Sequence, residues 1–249
     1  MKAMLSKAPG GPETLVLDDM EAPNPGAGEV RIRVRACGVN YPDTLIIEDK
    51  YQFRPDRPFA PGGEVSGEID AVGSDVTDVK IGDRVMALVS WGGMAEQVVT
   101  EAARCVPMPD SMPFDEAAAL IFTYGTSYHA LKQRARMCAG ETLLVLGAAG
   151  GVGLSTVELG RAMGARVVAA ASSDEKVALA MERGAHSGMV YGRGPFDKDG
   201  CKALAAQFKE AVGADGADVI YDAVGGDYAE AALRASAWKG RFLVVGFPA

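Results

Sequence analysis

One turn in this sequence carries residues of the right type and spacing to hold a phosphate. Leu143-Leu144-Val145-Leu146-Gly147-Ala148-Ala149-Gly150-Gly151-Val152-Gly153 runs from an apolar strand through a glycine-rich turn into a helix. At its centre, Ala148-x-Gly150-x-x-Gly153 has the spacing at which a pyrophosphate meets backbone N–H groups. Glycine at 150 lets the phosphate approach with no Cβ in the way. Glycine at 153 lets the helix lie close to the strand, and the helix N-terminus adds the positive end of its dipole. Ala148, Ala149, Gly150, Gly151, Val152 and Gly153 are therefore candidate contacts for a dinucleotide. A tight turn without a ligand also uses glycine. Here strand, turn and helix follow one another in the βαβ order that the dinucleotide fingerprint requires.

The end of the next strand tells one dinucleotide from another. About 20 residues beyond the glycine turn, an NAD site places Asp or Glu on the ribose 2′-hydroxyl. This chain has Ala171-Ser172-Ser173-Asp174-Glu175-Lys176 there, with no acid at the strand tip. Ser172 reads as a helix cap in a box with Glu175, and Lys176 as a solvated helix face. Both readings are compatible with a phosphate site made by Ser172, Ser173 and Lys176, which favours NADPH over NADH.

The elements that position these residues change character near residue 120, which divides the chain into 1–120 and 121–249. Before that point short strands alternate with Gly and Pro. Val30–Ala36 has apolar and basic residues in alternation, a half-buried strand. Its arginines 31, 33 and 35 read as a solvated sheet face, with a ligand patch as the alternative. Further strands are predicted over Glu64–Val72, Asp83–Leu88, Ala95–Thr100 and Arg104–Pro107, which together make a small β-rich domain. After residue 120 strand and helix alternate. Strands are predicted over Thr142–Gly147, Arg166–Ala171, Gly188–Tyr191, Asp218–Tyr221 and Arg241–Phe247. Helices are predicted over Gly151–Met163, Asp174–Arg183, Lys202–Val212 and Tyr228–Ala237. That pattern is an α/β fold with a doubly wound parallel sheet.

Composition narrows the partners. The 249 residues are 48% hydrophobic and carry a formal charge of -8. There is no basic run with interleaved aromatics, so nucleic acid and anionic membrane are poor partners. The longest apolar stretch, Leu143 to Leu154, is too short to span a bilayer. Cysteines 37, 105, 138 and 201 have no Cys-x-x-Cys spacing and the N-terminus has no secretory pattern, as expected for reduced thiols in a cytoplasmic protein.

Several segments together resemble the medium-chain dehydrogenase/reductase superfamily, in its zinc-independent quinone oxidoreductase (zeta-crystallin-like) branch. They are Ala36–Asp43, Pro61–Gly67, Gly82–Val85, the glycine turn preceded by Gly140-Glu141, and Val219–Gly226. Glu158 stands where the branch usually has glutamine. The resemblance covers the whole chain and implies a GroES-like first domain, a Rossmann second domain and a cofactor cleft between them. Zinc-dependent relatives have Cys and His where this chain has Asn40, Gly63 and Phe122, and His129 and His186 are too far apart in sequence to replace them, so no metal is expected. The resemblance also implies that Asn40 faces the nicotinamide ribose and substrate, and that Tyr51 corresponds to a functional tyrosine of related enoyl-thioester reductases. It implies that Thr126, Gly246 and Phe247 line the nicotinamide pocket and that Tyr191 packs near the adenosine.

The strand count gives five strands where a complete domain of this kind has six. The last strand would then be an open edge, so the expectation is a fragment of a longer chain or an edge covered by something else. The leading function is NADPH-dependent hydride transfer to a quinone or to an activated alkene such as an enone or enal. The second is reduction of enoyl thioesters, for which Arg54 and Arg57 are the suggestive cations. The third is a non-catalytic cofactor-binding or interaction fragment. A homodimer is implied only by the resemblance.

Overall fold

The computed structural model describes residues 1–246. The chain divides into two compact units, Met1–Phe122 and Thr123–Ala249.

In the first unit β1 (Lys2–Leu5) pairs antiparallel with β2 (Val16–Asp19). Then come β3 (Glu29–Gly38), the helix α1 (Tyr41–Ile47), β4 (Glu64–Val72), β5 (Arg84–Leu88), β6 (Gln97–Glu101), β7 (Cys105–Pro107) and the single turn α2 (Phe114–Ala117). The last five strands form an antiparallel sheet in the order β6-β3-β4-β5-β7. Alternation on β3 sends Val30 and Ile32 inward against Val65, Ile69, Val85 and Val98. The arginines occupy the opposite face. Arg31 pairs with Asp70 at 2.7 Å, Arg33 with Glu68 at 2.6 Å, and Arg35 reaches Glu68 at 3.8 Å. They are cross-strand ion pairs on a solvated face, each contributing about 0.2–1 kcal/mol.

A helix over residues 121–134, α3, has π-type bonding at Ile121–Gly125 and His129–Arg134 around one α turn, Thr126–Tyr128. The second unit continues with β8 (Thr142–Leu146), α4 (Gly151–Ala162), β9 (Arg166–Ala171), α5 (Asp174–Glu182) and β10 (Ser187–Val190). It ends with α6 (Lys198–Val212), β11 (Ala217–Asp222), α7 (Gly226–Leu233) and β12 (Ser236–Val244). Among the described residues these five strands form one parallel sheet ordered β10-β9-β8-β11-β12. Both faces are buried, as a parallel sheet requires. Leu143, Val145, Val167, Val219 and Tyr221 face one helical layer, and Leu144, Leu146, Val168 and Ile220 the other.

Two expectations are corrected near the end. The helix predicted over Tyr228–Ala237 stops at Leu233, and the strand predicted from Arg241 begins at Ser236. Ser236 pairs with Ala217 and Arg241 with Val219, so the strand bulges between those pairs. Lys239, at φ 64°, makes the bulge. Helix periodicity cannot detect such a bulge, because Ala235-Ser236-Ala237 suits either structure. The outer side of β12 has no strand partner among the described residues, and Trp238 on it is 92% exposed. The Phe247 end of the predicted strand lies outside the described residues. α6 begins at Lys198 rather than Lys202, because the Asp197 side chain caps it by accepting from Gly200 N–H at 2.7 Å.

Candidate active site

The glycine turn joins β8 to α4, and its two key glycines are required for different reasons. A Cβ on Gly153 would stand 2.2 Å from the Gly147 carbonyl oxygen and 2.9 Å from Ala148 backbone atoms. Only glycine lets the helix sit this close to the turn. Gly150 has φ -77° and ψ 168°, open to any residue, and a Cβ there would meet only Gly147 O at 3.4 Å. The protein's own packing does not call for glycine at 150. A side chain there would instead fill the space over the start of α4. α5 and α6 are capped by Ser173 and Asp197 side chains, but Gly150 offers α4 no side-chain cap. With no side chain at 150 to cap them, the first-turn N–H groups of α4 suit an anion.

At the tip of β9, Lys176 Nζ donates to Ser172 Oγ at 3.2 Å. The helix cap is Ser173, whose Oγ accepts from Lys176 N–H at 3.4 Å. This corrects the expected box between Ser172 and Glu175. The cap is one residue later, which frees the Ser172 hydroxyl from capping and brings it under the lysine. Asp174 and Glu175 are exposed on the first turn of α5, where acids complement the dipole.

The carboxyl ends of β11 and β12 meet at Asp222. Its buried side chain accepts from the N–H groups of Val224 and Gly225, both at 2.9 Å. Its carbonyl accepts from Val245 at 2.8 Å and Gly246 at 3.2 Å, so Gly246 sits beside the β11 tip. Thr126 lines an open pocket of about 480 Å³ with His129, Arg134 and residues of β12. Next to it, Ser127 Oγ is buried in a hydroxyl network with Ser155 at 2.9 Å, Thr156 at 2.9 Å and Tyr221 at 3.1 Å. This network, which ties α3 to α4 and β11, gave no motif in the sequence. Tyr191 is 6% exposed and packs on Tyr228 with ring centroids 5.0 Å apart. Burial raises its pKa, opposed by the Gly147 N–H beside its hydroxyl. Phe247 lies outside the described residues.

Within the first unit, Asn40, Gly63 and Phe122 come together around Glu64, a residue the sequence reading passed over. Glu64 is wholly buried. Its Oε1 accepts from Phe122 N–H at 2.8 Å and its Oε2 from Asn40 Nδ2 at 3.3 Å. Asp43, also buried, accepts from Asn40 N–H at 2.7 Å and Gly62 N–H at 3.1 Å. Burial raises the pKa of both acids against these hydrogen bonds. It also pushes the Cys37 thiol up to about 12, with Asp43 and Glu64 adding to the shift. Zinc needs lone pairs from Cys, His or carboxylate side chains. Here Asn40 has a neutral carboxamide, Phe122 a side chain without a donor atom and Gly63 no side chain, so they do not fit the ion. Among the described residues, no group of three or more His, Cys, Asp and Glu could hold a metal. His186 Nδ1 accepts from Val167 N–H at 3.0 Å, and His129 bonds Gln133.

Tyr51 follows α1 in a separate apolar cluster with Ile46, Ile47 and Phe59, its ring edge-on to Phe53 at 5.7 Å. Arg57 is committed: it donates to Asp49 at 2.8 Å, to the Ile47 carbonyl at 2.9 Å and to Ser6 Oγ at 3.2 Å. Arg54 is exposed.

Comparison with known proteins agrees with this architecture. Residues 26–110 match the alcohol dehydrogenase GroES-like domain, and residues 151–249 match the zinc-binding dehydrogenase family. The chain is 43% identical to quinone oxidoreductase-like protein 2 of Rattus norvegicus over 228 residues, 91% of this chain and 63% of that protein. It is 37% identical to the quinone oxidoreductase of the same organism over 240 residues, 95% of this chain and 70% of that one. The structure of mycobacterial Rv1454c complexed with NADPH superposes with a TM-score of 0.90 at 32% identity, covering 99% of this chain and 74% of that one. The chain thus spans less than two thirds of the first relative's length. With a GroES-like β-rich unit, a Rossmann unit and this identity, the chain belongs to the quinone oxidoreductases of the medium-chain dehydrogenase/reductase superfamily.

Proposed function

We propose that the chain belongs to an NADPH-dependent oxidoreductase that reduces a quinone, or an activated alkene such as an enone or enal, without a metal. The observation that carries this reading is the uncapped start of α4 at Gly150, in a sheet whose next strand tip pairs Lys176 with Ser172. The first suits a pyrophosphate and the second a 2′-phosphate. The NADPH in the mycobacterial neighbour supports the same cofactor here.

When bound, the cofactor supplies a hydride. In this reading the N–H groups at 151–153 hold the pyrophosphate, and Ser172, Ser173 and Lys176 hold the 2′-phosphate. Thr126 and Gly246 bound the nicotinamide pocket. Phe247, expected beside them, stays part of the proposal. Tyr191 supports the turn from beneath through Gly147. Asn40 hydrogen-bonds the ligand, and Tyr51 donates to the oxygen on which negative charge develops, a task that falls to hydrogen bonds where no Lewis acid is present. A quinone receives one hydride and one proton on the way to the hydroquinone, and the proton comes from solvent through such a hydroxyl.

Reduction of enoyl thioesters is less well supported, because Arg57 is used up within the fold and leaves only Arg54 for a large anionic carrier. No helix is long and apolar enough to cross a membrane among the described residues. The four cysteines are free thiols, as a cytoplasmic location would leave them. A homodimer belongs to the proposal and is read by sedimentation. The function is tested by titrating the protein with NADPH and NADH and assaying a panel of quinones, enones and enoyl thioesters. Tight NADPH binding with quinone or enone turnover is expected. NADPH binding without turnover of any acceptor would favour a binding fragment, and absence of NADPH binding would refute the reading.

A further inference from the structure

We infer that Glu64 is a positioning residue that determines which end of the Asn40 carboxamide is offered to the ligand. This rests on the proposed role of Asn40 at the ligand. Glu64 begins β4 and is wholly buried, with no lysine or arginine paired to it among the described residues. Every group aimed at it is an N–H donor: Phe122 N at 2.8 Å on Oε1 and Asn40 Nδ2 at 3.3 Å on Oε2, with the Ile121 N–H adding to them. Room for the carboxylate comes from Gly38, where a Cβ would stand 3.1 Å from Glu64 Oε2 and 2.2 Å from the Ala118 carbonyl oxygen. Asn40 is held at two further points: its own N–H donates to Asp43 Oδ2 at 2.7 Å, and its side chain accepts from the Asp43 N–H in the capping box that starts α1.

The consequence is one of hydrogen-bond polarity. An ionised carboxylate has acceptor atoms only, whereas a carboxamide has an acceptor edge and a donor edge of nearly the same shape. Facing Glu64, Asn40 must turn its NH2 inward, which directs Oδ1 toward the start of α1, where it accepts from the Asp43 N–H and keeps a second lone pair for the ligand. Without that acid only the cap to the Asp43 N–H would favour this orientation, and an Asn40 turned over would offer donors in place of an acceptor. With it, Asn40 presents a fixed acceptor, suited to a hydroxyl of the cofactor ribose or of the reduced product. A buried acid without a cation is a poor device for stability, but it is an effective way to orient an amide.

The test is a double-mutant cycle on NADPH binding and quinone turnover. In Glu64→Gln, the new amide oxygen takes the Phe122 N–H and its NH2 faces the Asn40 NH2, so that Asn40 must turn over. In Asn40→Asp, two carboxylates face each other. The combined variant restores one hydrogen bond between 40 and 64 and still directs an acceptor oxygen at the ligand. Each single change is expected to lower binding or turnover about tenfold or more, the scale of one hydrogen bond to a charged group. The combined variant is expected to return to within about threefold of the parent, a coupling that independent sites do not show. Additive losses in the combined variant overturn the proposal. Coupling seen in melting temperature but not in binding or turnover also overturns it, since the contact would then be structural only. Asn40→Ala with unchanged binding and turnover would show instead that Asn40 does not meet the ligand, and the underlying reading fails.

Discussion

Substituting the two glycines of the turn separates folding from binding. In Gly153→Ala the new Cβ would lie 2.2 Å from the Gly147 carbonyl oxygen. That neighbour is backbone and cannot swing away, so α4 must move off the turn. Overpacking of this kind costs about 1–3 kcal/mol, or roughly 2–12 °C in melting temperature at about 2–4 °C per kcal/mol for a chain of this size. In Gly150→Ala the Cβ meets nothing closer than 3.4 Å and φ is -77°, which alanine adopts freely. Losing glycine at a helix cap costs up to about 1 kcal/mol, and the stiffer unfolded chain returns about 0.4–1 kcal/mol. The melting temperature should therefore stay within a few degrees. NADPH affinity should nevertheless fall, because the methyl occupies the space where the pyrophosphate approaches the N–H groups. Loss of one hydrogen bond to a charged group is about 1.5–3 kcal/mol, or about tenfold to hundredfold. Calorimetric titration and thermal melting of both variants give the two numbers. A Gly150→Ala protein that binds NADPH as tightly as the parent would refute the placing of the phosphate over α4.

Three further predictions follow from the same structure. Lys176→Ala removes the amine beside Ser172 and should lower NADPH affinity about tenfold to hundredfold while leaving NADH nearly unchanged; an unaltered ratio in the two titrations would remove Lys176 from the 2′-phosphate site. Tyr51→Phe should reduce turnover more than cofactor affinity, since the hydroxyl is proposed to act on charge that develops in the transition state; steady-state kinetics with an unchanged turnover number would exclude it. Glu141 accepts from Arg241 at 2.6 Å, and this hydrogen bond holds its carboxyl below the ordinary range. Its contribution is present above the unfolded pKa and is lost as pH falls through the lower folded one. Glu141→Gln should therefore be less stable than the parent by about 1–2 kcal/mol near neutrality. The gap should close on acidification, and denaturant melts showing no such convergence would contradict the assignment.

Much of the architecture was legible because periodicity and glycine spacing are local. The alternation in Val30–Ala36 and the buried runs at Leu143 and Val167 fell on β3, β8 and β9, and the helix predicted from Gly151 begins there. What was not legible depends on contacts between distant residues. The β1–β2 pair joins residues on either side of a 3-10 turn with no hairpin signature. The bulge of β12 comes from its pairing with β11, and α3 has a bonding pattern with no sequence period of its own. The same holds at the candidate site. The glycine turn and the strand tip could be read by spacing, whereas the cap at Ser173 in place of Ser172 depends on where α5 begins. Glu64 stood in plain view beside Gly63, but its meaning comes from Phe122, 58 positions along the chain.

The proposed reaction is metal-free hydride transfer from NADPH. It is tested most directly by single-turnover oxidation of NADPH with a quinone, followed by nicotinamide absorbance, on protein treated with a strong chelator and analysed for metal. The chelated, zinc-free protein is expected to bind NADPH and to oxidise it in proportion to the quinone added, at the rate of untreated protein. Loss of the reaction on chelation, with recovery when zinc is returned, would contradict it.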